Sequence, residues 1–289
     1  TACYAGGFAE LAFEGASEER GPAATERCGL FATTWDRAAS GCDPNPDRGA
    51  QEGYGIHFLH ALRGEDRDGR PLPRERLDLD GDGAISLLEA HARARIASGS
   101  LDVPVTTSER FLRAVAASLP PAGLEVEPPL PEERAVVAAL TSRLGLSRPE
   151  QAHERLAAME AELERLGGEL DRIEDDLADA EEQLAAALLH RWPVLGDPWH
   201  PRFASTLESE RTAILAFLES SSEAARREEL LDERDRLAER HDRLLVESAP
   251  VVRLVRALET IDLAAQLMRA GGEAWERYEA FLACERGLP

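Results

Sequence analysis

The sequence predicts an α/β N-terminal part with an incomplete parallel sheet, followed by an all-α coiled-coil hairpin. Three observations carry this prediction. Before residue 119, short apolar runs alternate with short helical stretches and Gly-rich turns. Pro120, Pro121, Pro128, Pro129 and Pro131 then crowd into one short segment. Beyond it, apolar residues recur alternately every three and four positions, the spacing of a heptad seam. A chain of 289 residues has room for about two domains. Its 43% hydrophobic and 30% charged content is that of a globular protein, not a disordered one.

Each element follows in order. Thr1 and Ala2 read as the tail of one strand, and Arg27 to Thr34 (RCGLFATT) as a buried strand with a polar exit. Phe8 to Phe13 and Gly55 to Leu62 read as short helices. One complete strand cannot make a sheet, so its neighbours are expected upstream. Residues 1–118 form the first predicted domain. Proline removes backbone donors and biases its predecessor toward extended shapes, which makes 119–131 the predicted linker. Residues 132–289 are predicted helical. Pro149 and Glu150, just after Ser147, mark a helix start. Leu156, Met159, Leu163, Leu166, Leu170, Ile173, Leu177, Ala180 and Leu184 then form the seam of a long helix over 147–191. Gly167 and Gly168 weaken it locally. The run PVLGDPWHP at 193–201 ends it. A second long helix is predicted over about 204–247, with Leu230, Leu237 and Leu244 at seven-residue spacing. Shorter helices over about 250–270 and 272–284 close the bundle. Two long helices joined by a short break predict an antiparallel hairpin.

Charge excludes some partners. There are 33 basic and 55 acidic residues, a net charge of −22, and every basic residue is Arg. That argues against nucleic acid or an anionic membrane as the main ligand. No apolar run approaches the roughly 18 residues of a membrane span. The first residues show no signal-peptide pattern. Cys3, Cys28, Cys42 and Cys284 are too few and scattered for a disulfide scaffold, and no CxxC pair suggests zinc. A reducing compartment, the cytoplasm, is the expectation.

Cys3 is the first chemical candidate. The run TACYAGGF puts a thiol between an apparent strand and a Gly-rich helix start. Backbone N–H groups and the positive helix end favour the thiolate, which is the nucleophile. The glycines after it, Gly6 among them, allow close approach to the backbone, as an oxyanion site requires. The bland reading is a buried structural cysteine.

Three motifs in order, TACYAGGFAELAF, RCGLFATTWDRAASGC and EGYGIHFLHALRG, resemble the C-terminal half of the caspase-like fold. The closer likeness is to legumain-type and bacterial caspase-like cysteine peptidases. The resemblance covers about residues 1–118 and implies a cysteine endopeptidase. It gives Cys3 the role of nucleophile and Gly6 that of the oxyanion segment. It makes Trp35 to Cys42 the substrate-binding segment, with Trp35, Asp36 and Arg37 as its candidates. Asp36 and Glu52 would favour basic substrates and Arg37 an acidic one; the sequence leaves that choice open. The family's general-base His precedes the nucleophile, so here it would lie upstream. His57 and His60 do not fit its place and read as ordinary helix residues.

The second candidate is a Ca²⁺ loop at 78–89, DLDGDGAISLLE. Asp78, Asp80 and Asp82 stand at loop positions one, three and five. Gly83 takes the sharp turn, Ala84 offers a carbonyl, Ser86 is at nine and Glu89 at twelve. This pattern supplies hard oxygens and a bidentate carboxylate. An exiting helix over 87–98 is predicted, whereas Pro71 and Pro73 preclude an entering one. The alternative is an acidic surface turn. Bacterial caspase-like proteins carry such a segment after the peptidase core, so its place agrees with the resemblance.

In the helical half, Trp192 and Trp199 flank the break as a docking tip or a hydrophobic plug. Residues 147–191 carry 13 acidic and 5 Arg side chains, which read as a solvated coiled-coil face. Two functions are thus expected. One is the C-terminal portion of a Ca²⁺-modulated cysteine endopeptidase acting on protein or peptide substrates. The other is a non-enzymatic Ca²⁺-binding coiled-coil scaffold or pseudoprotease. The coiled coil is expected to pair within the chain, as a homodimer or with another helix.

Overall fold

The computed structural model describes residues 2–25, 27–40, 52–117, 119–120 and 126–287. Helix dominates, at 69% of the described residues. The strands among the described residues are β1 (Leu30–Phe31) and β2 (Val105–Thr106). They pair antiparallel, Leu30 opposite Thr106 and Phe31 opposite Val105. This corrects the predicted parallel sheet and the α/β class. RCGLFATT yields a two-residue strand, and Ala2 lies outside any strand. Thr1 lies outside the described residues. A short apolar run signals burial, not strand geometry. Thr33 and Thr34 are buried against Gly6 of the 3-10 helix Ala5–Ala12, and Ala32 against Tyr54, Phe58 and Ala94, rather than in a ladder.

The helices follow in chain order. They are α1 (Tyr54–Leu62), α2 (Leu87–Ala97), α3 (Thr107–Ala116), α4 (Pro131–Arg143), α5 (Gln151–Arg191), α6 (Phe203–Ser209), α7 (Arg211–Ser220), α8 (Ser222–Ala270) and α9 (Gly272–Arg286). Their starts are legible. Ser86 Oγ accepts from Glu89 N while Glu89 returns a bond to Ser86 N, a capping box opening α2. Thr106 Oγ1 accepts from Glu109 N to open α3. Pro131 takes the first turn of α4, where its missing N–H costs nothing.

Two compact units result, Thr1–Ala158 with Leu245–Pro289, and Met159–Leu244. The division does not fall at 119–131. Leu130 is buried in the main core of the first unit, with Phe13, Leu88, Phe111, Leu112, Leu267, Tyr278 and Phe281. In α9, Tyr278, Phe281, Leu282 and Glu285 recur on one buried helix face. A disulfide joins Cys28 to Cys284 across 256 residues, so the last helix is covalently part of the first unit. The cysteine pattern therefore does hold a structural staple. Disulfides persist in oxidising surroundings, so that pattern no longer argues for a reducing compartment.

The second long helix also differs from expectation. The stretch from 204 is divided among α6, α7 and α8, and α8 runs on through Pro250 to Ala270. A helix-interior proline costs about 3 kcal/mol or more. Residues 248–252 are all buried, so packing outweighs that local cost.

In the second unit the hairpin forms within the chain. Arg227 pairs with Glu181 at 3.0 Å, and Arg240 pairs with Glu162. Numbers fall along one helix as they rise along the other, so α5 and α8 run antiparallel here. Leu166, Ile173, Leu177 and Ala180 of the seam are buried, and Leu177, Ala180 and Leu230 form one cluster. Gly167 and Gly168 stay helical. Trp192 is buried edge-on to Phe217, as a plug would be, whereas Trp199 is 93% exposed. Among the described residues, no helix is long and apolar enough to cross a membrane.

Candidate functional site

The N-terminal segment turns sharply before its 3-10 helix. Tyr4 adopts a left-handed φ of 59°, and its N–H donates to the Arg37 carbonyl at 2.9 Å. That turn sets half-buried Cys3 against Ala39. The Ala39 N–H donates to Cys3 Sγ at 3.3 Å, and the thiol reaches the Ala39 carbonyl at 3.9 Å. The 3-10 helix then drives Gly6 into Thr33 and Thr34. A Cβ on Gly6 would lie 2.7 Å from the Thr33 carbonyl oxygen and 2.8 Å from Thr34 Cα. The close approach that requires glycine is therefore to the chain's own backbone.

The structure thus brings Cys3 and Gly6 together with Trp35, Asp36 and Arg37. A cavity of about 260 Å³ is lined by Gly6, Thr34, Trp35 and Asp36 together with Arg110, Arg113 and Arg256. Trp35 and Asp36 are exposed. Arg37 contributes its carbonyl to the turn. Cys42, the end of the expected substrate segment, lies outside the described residues.

Two carboxylates hold this region: Asp102, which no sequence pattern marks, and Glu52, expected as a substrate-facing acid but engaged within the chain. Asp102, fully buried, accepts from Ser40 N and Ser40 Oγ at 2.6 Å each and from Tyr54 N at 2.8 Å. It binds the end of the substrate segment to the start of α1. Gly53 is needed there, because a Cβ would lie 2.6 Å from Ser40 Oγ. Glu52 accepts from Gly99 N at 2.9 Å and pairs with His57 and Arg67. Burial raises the Glu52 carboxyl, but the Gly99 N–H and its pairing with His57 and Arg67 outweigh this and hold it below its ordinary value. His57 is thus a buried partner of Glu52. His91 meets the Tyr54 hydroxyl at 3.0 Å, and burial drives its pKa down to about 3.

Behind the cavity lies a buried ion cluster. Glu109 accepts from Arg113 Nε at 3.0 Å and pairs with Arg256 Nη2 at 2.7 Å. Burial opposes its charge, but Arg256, Arg113 and Arg95 hold its pKa at about 2.

The Ca²⁺-type loop is partly assembled. Carboxylate oxygens of Asp78, Asp80 and Asp82 lie within 4.8 Å of one another. Backbone N–H groups shape the turn: Gly83 donates to Asp78 at 3.2 Å, Asp82 to Asp80 at 3.0 Å and Ala84 to Asp82 at 2.7 Å. Asp78 Oδ1 is buried with no hydrogen-bond partner, an orphaned acceptor that a cation would satisfy. The three carboxylates could therefore hold a metal ion. Glu89 is placed differently. Its carboxylate accepts from Leu79 N, from Asp80 N at 3.3 Å and from Ser86 N at 2.7 Å. Ser86 Oγ is engaged by Glu89 N at 3.1 Å. Glu89 and Ser86 thus brace the loop from the helix side, apart from the aspartate cluster. The short 3-10 turn Arg74–Arg76 stands where an entering helix would be, and Arg74 Nε pairs with Asp78 at 3.1 Å.

No family model, curated protein or solved structure matches the chain. The family resemblance stands on its three motifs alone.

Proposed function

We propose that the chain carries the nucleophile and substrate-loop portion of a cysteine endopeptidase. The observation that supports this most is the packing of Cys3 against Ala39 and of Gly6 against Thr33 and Thr34, in a segment whose Gly6 lines a cavity. Cys3 Sγ, as thiolate, attacks a peptide carbonyl and forms the C–S bond. The thiol proton passes to a general-base histidine supplied from sequence before Thr1, and then to the departing amine as the C–N bond breaks. Water hydrolyses the thioester. Asp78, Asp80 and Asp82 would hold a Ca²⁺, which would neutralise the acidic turn that precedes α2 and stiffen it. The test is labelling of the native source protein with a peptidyl acyloxymethyl ketone. Labelling at Cys3, lost in Cys3→Ala, supports the reading. Labelling elsewhere, or none, removes it.

A second reading is a Ca²⁺-binding scaffold or pseudoprotease. The N–H network around Asp78, Asp80 and Asp82 and the in-chain hairpin favour it. Ca²⁺ binding without any Cys3 labelling would select it.

A further inference from the structure

We infer that the elbow between α7 and α8 is a docking groove for a basic amphipathic helix of a partner protein; this does not depend on the peptidase reading of Cys3. The groove encloses about 530 Å³ and lies wholly within the second unit. Ser221, extended at φ −70° and ψ 153°, separates α7 from α8 and forms the elbow. Leu218 of α7 and Ala224 and Ala225 of α8 make the apolar part. Glu219, Glu228, Glu229 and Asp232 make the rim.

Helical geometry leaves this face without a partner inside the hairpin. Arg227 pairs with Glu181, and Leu230 is buried with Leu177 and Ala180, so those positions of α8 face α5. At about 100° per residue, positions 224, 225, 228, 229 and 232 fall on the other side of the helix. Leu218 is 39% exposed, and Leu215, one turn before it, 45%. Apolar surface rimmed by polar groups marks interaction sites. The rim names the occupant. Glu229 pairs with Arg226 at 3.6 Å, whereas Glu219, Glu228 and Asp232 have no ion-pair partner among the described residues. Glu228 and Asp232 stand about 6 Å apart along the axis of α8, which matches basic side chains one turn apart on a docked helix. The alanines let that helix come close, and one apolar side chain on the same face meets Leu218. Charge complementarity of this kind supplies selectivity and speeds encounter. A second copy of the chain is a poor occupant, because it brings the same excess of acid, at a net charge of −22.

The experiment uses the full chain and a fluorescein-labelled, Ala-based helical peptide with Arg one turn apart and a Leu on the same face. A control peptide has Glu in place of Arg. Binding is read by fluorescence anisotropy. The Arg peptide is expected to bind and the Glu peptide not to. Glu228→Gln with Asp232→Asn should weaken binding about tenfold, and Leu218→Ala about fivefold. Asp175→Asn with Asp176→Asn, which removes two exposed acids of α5 in the same unit, should leave affinity within about twofold. All of these side chains are exposed, and circular dichroism checks that each variant keeps its helix. Equal weakening by the two acidic pairs would mean diffuse attraction to an acidic surface and overturns the inference. Equal binding of the two peptides, or no binding of the Arg peptide, overturns it too. Sedimentation of the chain alone tests the other occupant. A dimer abolished by Glu228→Gln with Asp232→Asn would give the groove to a second copy and remove the partner helix.

Discussion

Arg253 Nη2 donates to the Ser100 carbonyl at 2.9 Å, across 153 residues of chain. The same guanidinium reaches the carbonyls of Arg95 at 2.7 Å and Ser98 at 3.0 Å. Helix ends leave carbonyls without intrahelical partners. Here a buried arginine from α8 satisfies those at the end of α2, the helix that leaves the Ca²⁺-type loop. Burial depresses its pKa to about 9.

Arg253→Met should therefore be costly. It removes the donors and leaves buried carbonyls unpaired, for a loss of about 3–5 kcal/mol. Urea denaturation of the variant and wild type measures it. A loss below about 1 kcal/mol would mean that water or another side chain replaces the cap.

Stability should be highest on a plateau between about pH 4.5 and 6.5, where the shifts of Glu285 and His91 offset each other, and fall on either side. Glu285 accepts from Ser108 N at 2.6 Å and Ser108 Oγ at 2.5 Å, yet burial, the largest effect, raises its pKa to about 8. Between the ordinary value and about 8, the folded chain holds a proton that the unfolded chain has released. Stability thus falls as pH rises through that window. His91 acts on the other side. Its folded pKa is about 3, against 6.5 when unfolded, so stability falls as pH drops from 6.5 toward 3. Melting curves from pH 4 to 9 should show the two limbs. Glu285→Gln should flatten the alkaline limb and extend the acid one up toward pH 6.5, where the His91 effect is no longer offset. An alkaline limb unchanged in that variant would contradict the assignment.

The helices were legible because their periods are local. The heptad positions from Leu156 to Leu184 are written in one stretch, whereas Ser86 and Glu89 were read as loop ligands rather than as the capping box of α2, and Pro131 as linker rather than as the first turn of α4. The sheet was misread because RCGLFATT is buried by helices, by Gly6 of the 3-10 helix against Thr33 and Thr34 and by Tyr54, Phe58 and Ala94 against Ala32, partners that apolar patterning does not reveal. The three motifs did bring Cys3 and Gly6 to Trp35, Asp36 and Arg37. Asp102 and Arg256 were missed because a lone acid or a lone Arg gives no local pattern. Their roles come only from residues 48 positions away, as Tyr54 is from Asp102, or more. The Cys28–Cys284 bond was missed for the same reason.

That disulfide closes nearly the whole chain, and its loss should cost about 2–5 kcal/mol. Cys284 is exposed, so a small thiol can reach it. Denaturation with and without dithiothreitol, alongside Cys284→Ser, measures the effect. The reduced wild type and the serine variant should agree. If reduction changes nothing while the variant is destabilised, the loss came from packing around Cys284.

Asp80→Ala should abolish Ca²⁺ binding, read by Tb³⁺ luminescence or calorimetry, because the cluster then lacks one of three hard oxygen donors. Glu89→Gln should act on folding as well, since its carboxylate accepts from the N–H groups of Leu79, Asp80 and Ser86. The expected pattern is lost binding with stability kept for Asp80→Ala, and both lowered for Glu89→Gln. Unchanged Tb³⁺ binding in Asp80→Ala would remove the loop from the functional reading.

Gly6 and Gly7 offer a paired test of the thiol segment. A Cβ at Gly6 would meet the Thr33 carbonyl oxygen at 2.7 Å, closer than atoms tolerate, so backbone must shift. A Cβ at Gly7 would meet Trp35 Cβ at 3.9 Å, an ordinary contact. Gly6→Ala should therefore destabilise by about 1–3 kcal/mol through overpacking, and Gly7→Ala should be near neutral. The displacement moves the segment that carries Cys3. Small misplacements of a reacting group cost on the order of 10²-fold in rate. Labelling of Cys3 by the peptidyl electrophile should then slow sharply in Gly6→Ala, while reaction with iodoacetamide, which needs no alignment, should hold. Equal slowing of both reagents would mean that the thiol has merely become buried. No slowing of either would mean that Gly6 serves packing alone.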